Sequence, residues 1–520
     1  MTKIRSNTPY VIIVFLVNLF AMGQQNVLIS NTNNPSEPSI SINPINTNQL
    51  LAGANLNSYY ASNDAGLTWN RGSLTSTHGV WGDPTIMADN NNNFYFFHLS
   101  NPTAASGGTW IDRIVCQKTS NLGSTWTDGT YTGKNGNKKQ DKQWSAFDKN
   151  TNTIYLTWTQ FDVYGSANPL NKSIIRFSKS IDFGATWSEA LKINTVDGGC
   201  LDDSNTVEGA VPAVGPNGEV YVSWASPNKI VFKKSIDFGA TWPSSETEIA
   251  TSPGWDFMIE GLDRTNGLPI TACDLSSSAY NGTIYVNWAD QRNGVNDTDI
   301  FLSKSTNGGA TWSAPFRVND DVAGKQQFLS WMTIDQITGY IYIVFYDRRN
   351  HIDTNTDVYL AYSTNGGATF TNKKISETSF VPTATVFFGD YSNITAHNGI
   401  IRPIWSRFDN GQSSLWTAIL SQNQLNSNSL ETDTVHDDVV VYPNPTNSDS
   451  YISFKLYKES QITIKIYDLA GKEVHTLVDN KKYDLGKYVL TLKAATLQKG
   501  EYMYTIKSDY YLKSKKLLIN

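Results

Sequence analysis

Cysteine is scarce in this chain, with three in 520 residues. That excludes a fold stapled by many disulfides and a zinc centre built from clustered thiolates. Cys200 and Cys273 form one candidate pair, which would leave Cys116 unpaired; three buried free thiols is the other arrangement open to the sequence. Histidine is equally thin, six scattered residues, and no G-x-S-x-G elbow is present, so neither a histidine-rich metal centre nor a hydrolase of that design is encoded. A net charge of −6 argues against nucleic acid as a partner. Long apolar runs are missing beyond the first residues. The run "YVIIVFLVNLF" is short for a membrane span. It follows Lys3 and Arg5 and precedes the small residues of "AMG", which predicts a secretory signal over 1–23, cleaved before Gln24. No transmembrane span is expected once it is removed.

Helical periodicity is nearly absent as well. What fills the chain instead is short β-rich runs such as "TIYLTW" (153–158), "EVYVSW" (219–224), "TIYVNW" (283–288) and "YIYIVFY" (340–346). Between them one octapeptide recurs. "SIDFGATW" stands at 180–187 and again at 235–242, and looser copies are "SNDAGLTW" (62–69), "TSNLGSTW" (119–126), "STNGGATW" (305–312) and "STNGGATF" (363–370). The pattern S-x-[DN]-x-G-x-T-[WF] describes a locked turn. Its Asp or Asn accepts backbone N–H groups, its Gly takes a left-handed conformation, and its aromatic residue anchors the turn on neighbouring strands. Repeats of about 55–70 residues made of short strands predict the blades of an all-β propeller, four strands each.

Six copies of the turn give six blades. However, residues 388–420 read as three further strands without the octapeptide, and "NVLIS" (26–30) supplies a fourth. Seven blades are therefore favoured, with six as the alternative. Composition then changes. All 15 tryptophans precede residue 437, whereas 437–520 holds 13 lysines, no arginine and 10 acidic residues, a net of +3. The expected organisation is a propeller over 24–421, a polar linker over 422–438 and a small Ig-like β-sandwich over 439–520.

Two resemblances rest on these residues. The octapeptide resembles the Asp-box, or bacterial neuraminidase repeat, of sialidase-like propellers. The C-terminal pieces "VYPNP" (441–445), "IYDLAGKEV" (466–474), "LGKYVLTL" (485–492) and "KGEYMYTI" (499–506) resemble the type A sorting domain of the type IX secretion system. The second resemblance implies that the protein is secreted, or held at the outer-membrane surface, and that the secretion machinery is a partner. The first implies a glycan or glycoprotein ligand.

In a propeller the octapeptide turns join the third and fourth strands of each blade, so they share one face. The opposite face carries the loops before inner strands and after second strands, where a ligand site is expected. Those loops hold Asp83 in "GDP", Glu208 in "VEG" and Asp390 and Tyr391 in "GDY", the candidate catalytic groups, because glycoside cleavage uses paired carboxylates or a Tyr beside a Glu. They also hold Arg292 in "DQR", Arg348 and Arg349 in "DRR", and Arg407, the candidate substrate-binding groups for an acidic sugar. The bland alternative is that Asp and Arg of "DQR" and "DRR" pair with each other to tie loops together. No cofactor is expected. Only "NDTD" (296–299) and "DTNTD" (353–357) have the oxygen spacing of a structural calcium loop. A sialidase further needs an arginine in an R-I-P-type motif before the first box, and no Arg lies between Arg5 and Arg71. Two readings follow: a secreted glycoside hydrolase of sialidase-like design, or a non-catalytic propeller that binds glycan or protein with the same rim.

Overall fold

A computed structural model of the chain describes residues 25–102, 111–409, 411–426, 439–456, 459–469, 471–508 and 512–520. The expected signal segment 1–23 and most of the expected linker lie outside these residues. The chain divides into two compact units between Ser421 and Gln422.

The first unit is a ring of seven four-stranded antiparallel sheets. The inner strands of blades I to VII are, in order, Ser39–Ile42, Thr85–Ala88, Lys139–Asp148, Glu208–Val214, Ile270–Cys273, Gln327–Ile334 and Asn393–His397. Each packs on the next, and the last packs on the first. Ile40 N donates to Asn393 Oδ1 at 3.3 Å and Ile42 N to Thr395 Oγ1 at 3.2 Å across that joint. Blade VII has no octapeptide. Its outer strand is Gln25–Ser30, which pairs with Gln412–Ser421 and so closes the ring with the start of the chain. Asn26 adds a clasp to blade VI, donating through Nδ2 to Ile375 O at 2.8 Å.

Second strands such as Thr153–Phe161, Val220–Ser226 and Ile341–Asp347 are buried along their whole length. Blades stack face to face, so both faces of a middle strand are covered, and the sequence there is apolar rather than alternating. Trp158, Trp224, Trp288 and Trp405 end these runs and are fully buried between blades.

The octapeptides all lie between third and fourth strands, on one face. In the third copy Ser180 Oγ donates to Asp182 Oδ1 at 2.7 Å and accepts Gly184 N–H at 2.8 Å, while Thr186 donates through N and Oγ1 to the same carboxylate at 2.9 and 2.6 Å. Two residues, not one, are left-handed: Phe183 at φ 60° and Gly184 at φ 80°. A second repeated turn, unseen in the sequence, links first and second strands. Asp89, Asp148, Asp274 and Asp335 each accept the N–H two residues on, at 2.7–2.9 Å.

The three cysteines are free and buried, so the Cys200–Cys273 pair does not form. Each is tied to a different backbone partner: Cys200, in the loop before blade IV, bridges Ser166, and Cys273 pairs with Ile284 at the end of the inner strand of blade V.

The second unit is a two-sheet sandwich. Val440–Tyr442, Ser450–Leu456 and Gly486–Leu492 face Ser460–Asp468, Glu473–Tyr483, Gly500–Lys507 and Leu512–Ile519. Alternating inward residues, among them Ile452, Phe454, Ile462, Ile464, Ile466, Tyr504 and Leu517, form its core.

Candidate functional site

The starts of the inner strands are bent in the same way. Glu37, Asp83, Lys142 and Leu329 have φ of 52°, 50°, 50° and 48°, and Gly209 and Gly389 take the same left-handed form in blades IV and VII. Bulges accompany the bend in blades III, IV and VI, between Asp141 and Trp144, Glu208 and Val211, and Phe328 and Trp331. A bulge places two residues opposite one, so neighbouring side chains both aim at the axis. Each non-glycine in that form costs about 1–2 kcal/mol.

Charged groups converge there. Lys142 Nζ lies 2.5 Å from Asp390 Oδ2, 3.2 Å from Asp83 Oδ2 and 4.0 Å from Asp141 Oδ1. Arg264 Nη2 lies 2.5 Å from the same Asp390 oxygen and 4.0 Å from Glu37 Oε1. Arg264 stands on a small hairpin, Asp256–Phe257 and Thr265–Asn266, outside the seven blades. Asn266 Nδ2 donates to Asp390 O at 2.8 Å from the same hairpin. Asn55 joins two blades, donating to Glu37 Oε2 and accepting Asp83 N–H at 2.7 Å.

Four carboxyl groups thus surround two cations, and their proton affinities separate. Burial pushes Asp390 up, but Lys142 and Arg264 overcome it and hold the carboxyl at about 2. Burial raises Asp141 to about 7, with Asp83 and Asp202 adding to it and Lys142 opposing. Glu37 is pushed well above the usual range, first by burial and then by Asp83 and Asp390. Lys142 is held charged: burial disfavours its ammonium, and the four carboxyl groups outweigh burial.

Beside the cluster stand three rings. Trp144 and Trp331 lie 4.1 Å apart between centroids, and Tyr391 meets Trp144 edge-on at 5.0 Å. With Lys142, Asp390 and Leu268 they line a pocket whose cavity is 20 Å³, room for about one water. The Tyr391 phenol is pushed well above its ordinary value by burial and by Asp83 and Glu37.

Glu208 opens the inner strand of blade IV. Its carboxyl is fully buried in blade IV and feels Asp202, Asp141 and Lys142. The phenol that neighbours this carboxyl is Tyr164, whose hydroxyl donates to Asp202 Oδ2 at 2.5 Å.

The four arginines read from the sequence stay outside the cluster. Arg292 Nη2 pairs with Asp290 Oδ2 at 2.5 Å and Arg349 Nη2 with Asp347 Oδ2 at 2.7 Å, each tying a loop of its own blade. Arg348 is buried, donates to Thr356 Oγ1 and Gln326 Oε1 at 3.1 and 2.8 Å, and leaves Nη2 without a partner. Arg407 donates to Thr378 Oγ1 at 2.7 Å and lies over Trp416. The oxygens of the two candidate calcium loops are engaged by protein donors: Asp297 by Gly324, Asp299 by Arg317, Asn319 and Asn293, and Asp357 by Lys374 and His351. Among the described residues no three His, Cys, Asp or Glu groups are placed to hold a metal ion.

Glu37, Asp141, Lys142 and Arg264 were not anticipated. Lys142 sits in "KNGNKKQDKQW", which reads as a solvated basic stretch. Only the bulge reveals its direction.

Residues 440–520 match the family described as "Secretion system C-terminal sorting domain". The second unit is that domain. It directs the chain to secretion and to the outer-membrane surface, and it makes the secretion machinery a partner. No curated protein sequence matches the chain. Among solved structures, similarity extends to a Trypanosoma rangeli sialidase in complex with sialic acid, with 13% identity, 95% of this chain and 88% of that one covered and a TM-score of 0.43. An ulvan lyase of a polysaccharide lyase family aligns at 11% identity, 76% and 96% coverage and a TM-score of 0.47. A Penicillium chrysogenum alpha-L-arabinanase complexed with arabinobiose aligns at 15% identity, 66% and 98% coverage and a TM-score of 0.41. No helix among the described residues is long and apolar enough to cross a membrane.

Proposed function

We propose that the propeller acts on a glycan outside the cell by general acid–base chemistry on its axis. One observation carries this reading. Asp390 and Asp141 both face the Lys142 ammonium, yet one is held at about 2 and the other raised to about 7. Environments that push two carboxyl groups apart assign an ionised partner and a proton donor. Asp390 is then the fixed negative charge that stabilises positive charge developing on a sugar, and Asp141 is the acid that protonates the leaving oxygen. Tyr391 is a wall rather than a nucleophile, because its surroundings favour the phenol over the phenolate.

Substrate charge follows from the same groups. Lys142 and Arg264 are already held by Asp390 and Asp83, and Arg292 and Arg349 by Asp290 and Asp347. A carboxylate-bearing sugar would find no unpaired guanidinium fork in the cluster. A neutral glycan is the better match.

The second reading, a non-catalytic binding propeller, is favoured by the 20 Å³ cavity, which admits a water and not a sugar ring. The secreted chain assayed on neutral and acidic glycosides, with Asp141→Asn as control, separates the two. Turnover of neutral substrates, reduced about 100-fold or more in Asp141→Asn, is expected. Turnover untouched by the substitution removes Asp141 from the mechanism. Glycan binding without turnover establishes the second reading.

A further inference from the structure

Glu208 is the anomaly of the first unit. Its side chain is 0% exposed, no N–H or hydroxyl donor reaches either carboxyl oxygen, and its one side-chain hydrogen bond is with the Asp202 carboxyl, which needs a proton between the two. A buried ionised carboxylate with nothing to accept from would be costly. Opposite charge does not rescue it either. The groups nearest to it are Asp202 and Asp141, both acidic, and Lys142 is already held by Asp390 and Asp83. Something positive must neutralise this carboxyl. No three acidic or histidine groups among the described residues are placed to hold a metal, and the smallest cation that fits is a proton.

Asp141 is 4.0 Å from Lys142 on the axis. The charges of Asp141 and Asp202 both act on Glu208, Asp202 shares a hydrogen bond with it, and Asp202 also accepts the hydroxyl of Tyr164, which is 37% exposed. We propose that Glu208 is a buried proton store linking Asp141 on the axis to Asp202 and Tyr164 at the surface. At neutral pH Glu208 carries the proton. When Asp141 has given its proton to a leaving oxygen, the Glu208 O–H breaks and an O–H forms on Asp141. Glu208 then recovers a proton from Asp202, which draws it from solvent beside Tyr164. Only protons move, and the negative charge left on Asp141 passes outward to Asp202. The delivery step rests on the acid role proposed for Asp141; the store itself does not.

Infrared difference spectra and thermal melts of the full secreted chain and Glu208→Gln test the store without any substrate. Three further charged or titratable groups act on this region: Lys142 on Glu208 itself, and Asp256 and Arg264 on or beside Asp202. They are common to both proteins and cancel in the comparison. The protonated-carboxyl carbonyl band at pH 7, to which Glu37 and Asp141 also contribute, is expected to lose one component in Glu208→Gln. Burial places the folded proton affinity of Glu208 above its unfolded value, so the native chain loses stability as pH rises towards the folded value. The melting temperature of Glu208→Gln relative to the native chain therefore climbs by about 2 °C or more between pH 5 and 9. A pH-independent difference, or a band unchanged in Glu208→Gln, overturns the proposal. Loss of that component on adding millimolar calcium also overturns it, in favour of a cation site. If Glu208→Gln does not fold, the band must instead shift in Asp202→Asn, and an unmoved band refutes the link. Band and melts as expected with no glycan turnover leave the store standing and reject the acid role of Asp141.

Discussion

Replacing Lys142 with methionine should unravel the axial cluster while keeping the length of the side chain. Lys142 Nζ is the shared partner of Asp390, Asp83 and Asp141, and its side chain is 9% exposed. Removing one member of a buried ion pair costs about 3–5 kcal/mol, because the partner is left charged and unpaired. Arg264 still reaches Asp390, which keeps the cost near that range rather than beyond it. Unfolding entropy is about 2.1 cal/mol/K per residue, or roughly 0.8 kcal/mol/K for a propeller of some 400 residues, so the melting temperature should fall by about 4–6 °C at pH 7.5. The sign with pH is fixed. Asp390 is depressed to about 2, so its contribution is present above its unfolded value near 4 and lost as pH falls towards 2. Lys142→Met forfeits part of that contribution, and its deficit must shrink on acidification below pH 4. Scanning calorimetry of the full chain, following the propeller transition from pH 3 to 8, measures both effects. A deficit below about 1 kcal/mol, or one that grows in acid, would show that the cluster is not ionised as described.

Asp182→Ala removes the acceptor for Ser180 and for both donors of Thr186, and should cost about 1–2 kcal/mol in a melt while leaving glycan binding and turnover unchanged. A loss of binding would move the functional face to the octapeptide side. Deleting 437–520 should leave the propeller folded but retained in the cell envelope, as fractionation and circular dichroism would report. Truncated chain in the medium would refute the sorting role.

The ring was legible because its signal is local. Each octapeptide contains its own donors and acceptors, so the pattern survives in the bare sequence, and the unmarked seventh blade betrayed itself by three strands and a spare one at the start of the chain. Asp83, Asp390 and Glu208 were legible as residues because they precede inner strands. Their partners were not. Lys142 lies inside a ten-residue strand, where only a bulge turns it to the axis. Arg264 arrives on a hairpin that belongs to no blade. Glu37 sits in "SEPS", which looks like a plain polar turn. Arginine spacing was informative in the opposite sense: two residues after an aspartate at the end of a second strand, the side chain folds back onto that aspartate, as in Arg292 and Arg349.

The two repeated backbone devices differ in what they allow to vary. In the octapeptide turn the left-handed pair is followed by the same Thr and aromatic residue in each copy, so the turn can do only one thing. At the axis the left-handed position is Gly in blades IV and VII, Leu in blade VI, and Glu, Asp and Lys in the adjoining blades I, II and III. Glycine adopts that conformation without the 1–2 kcal/mol that a side chain costs there, so about 3–6 kcal/mol of backbone strain is concentrated in three neighbouring blades. Those same three side chains make the contacts to Asn55, Asp390 and each other. Strain that glycine would relieve is tolerated in blades I to III because these three side chains hold the axial cluster together, the contribution that Lys142→Met is expected to remove.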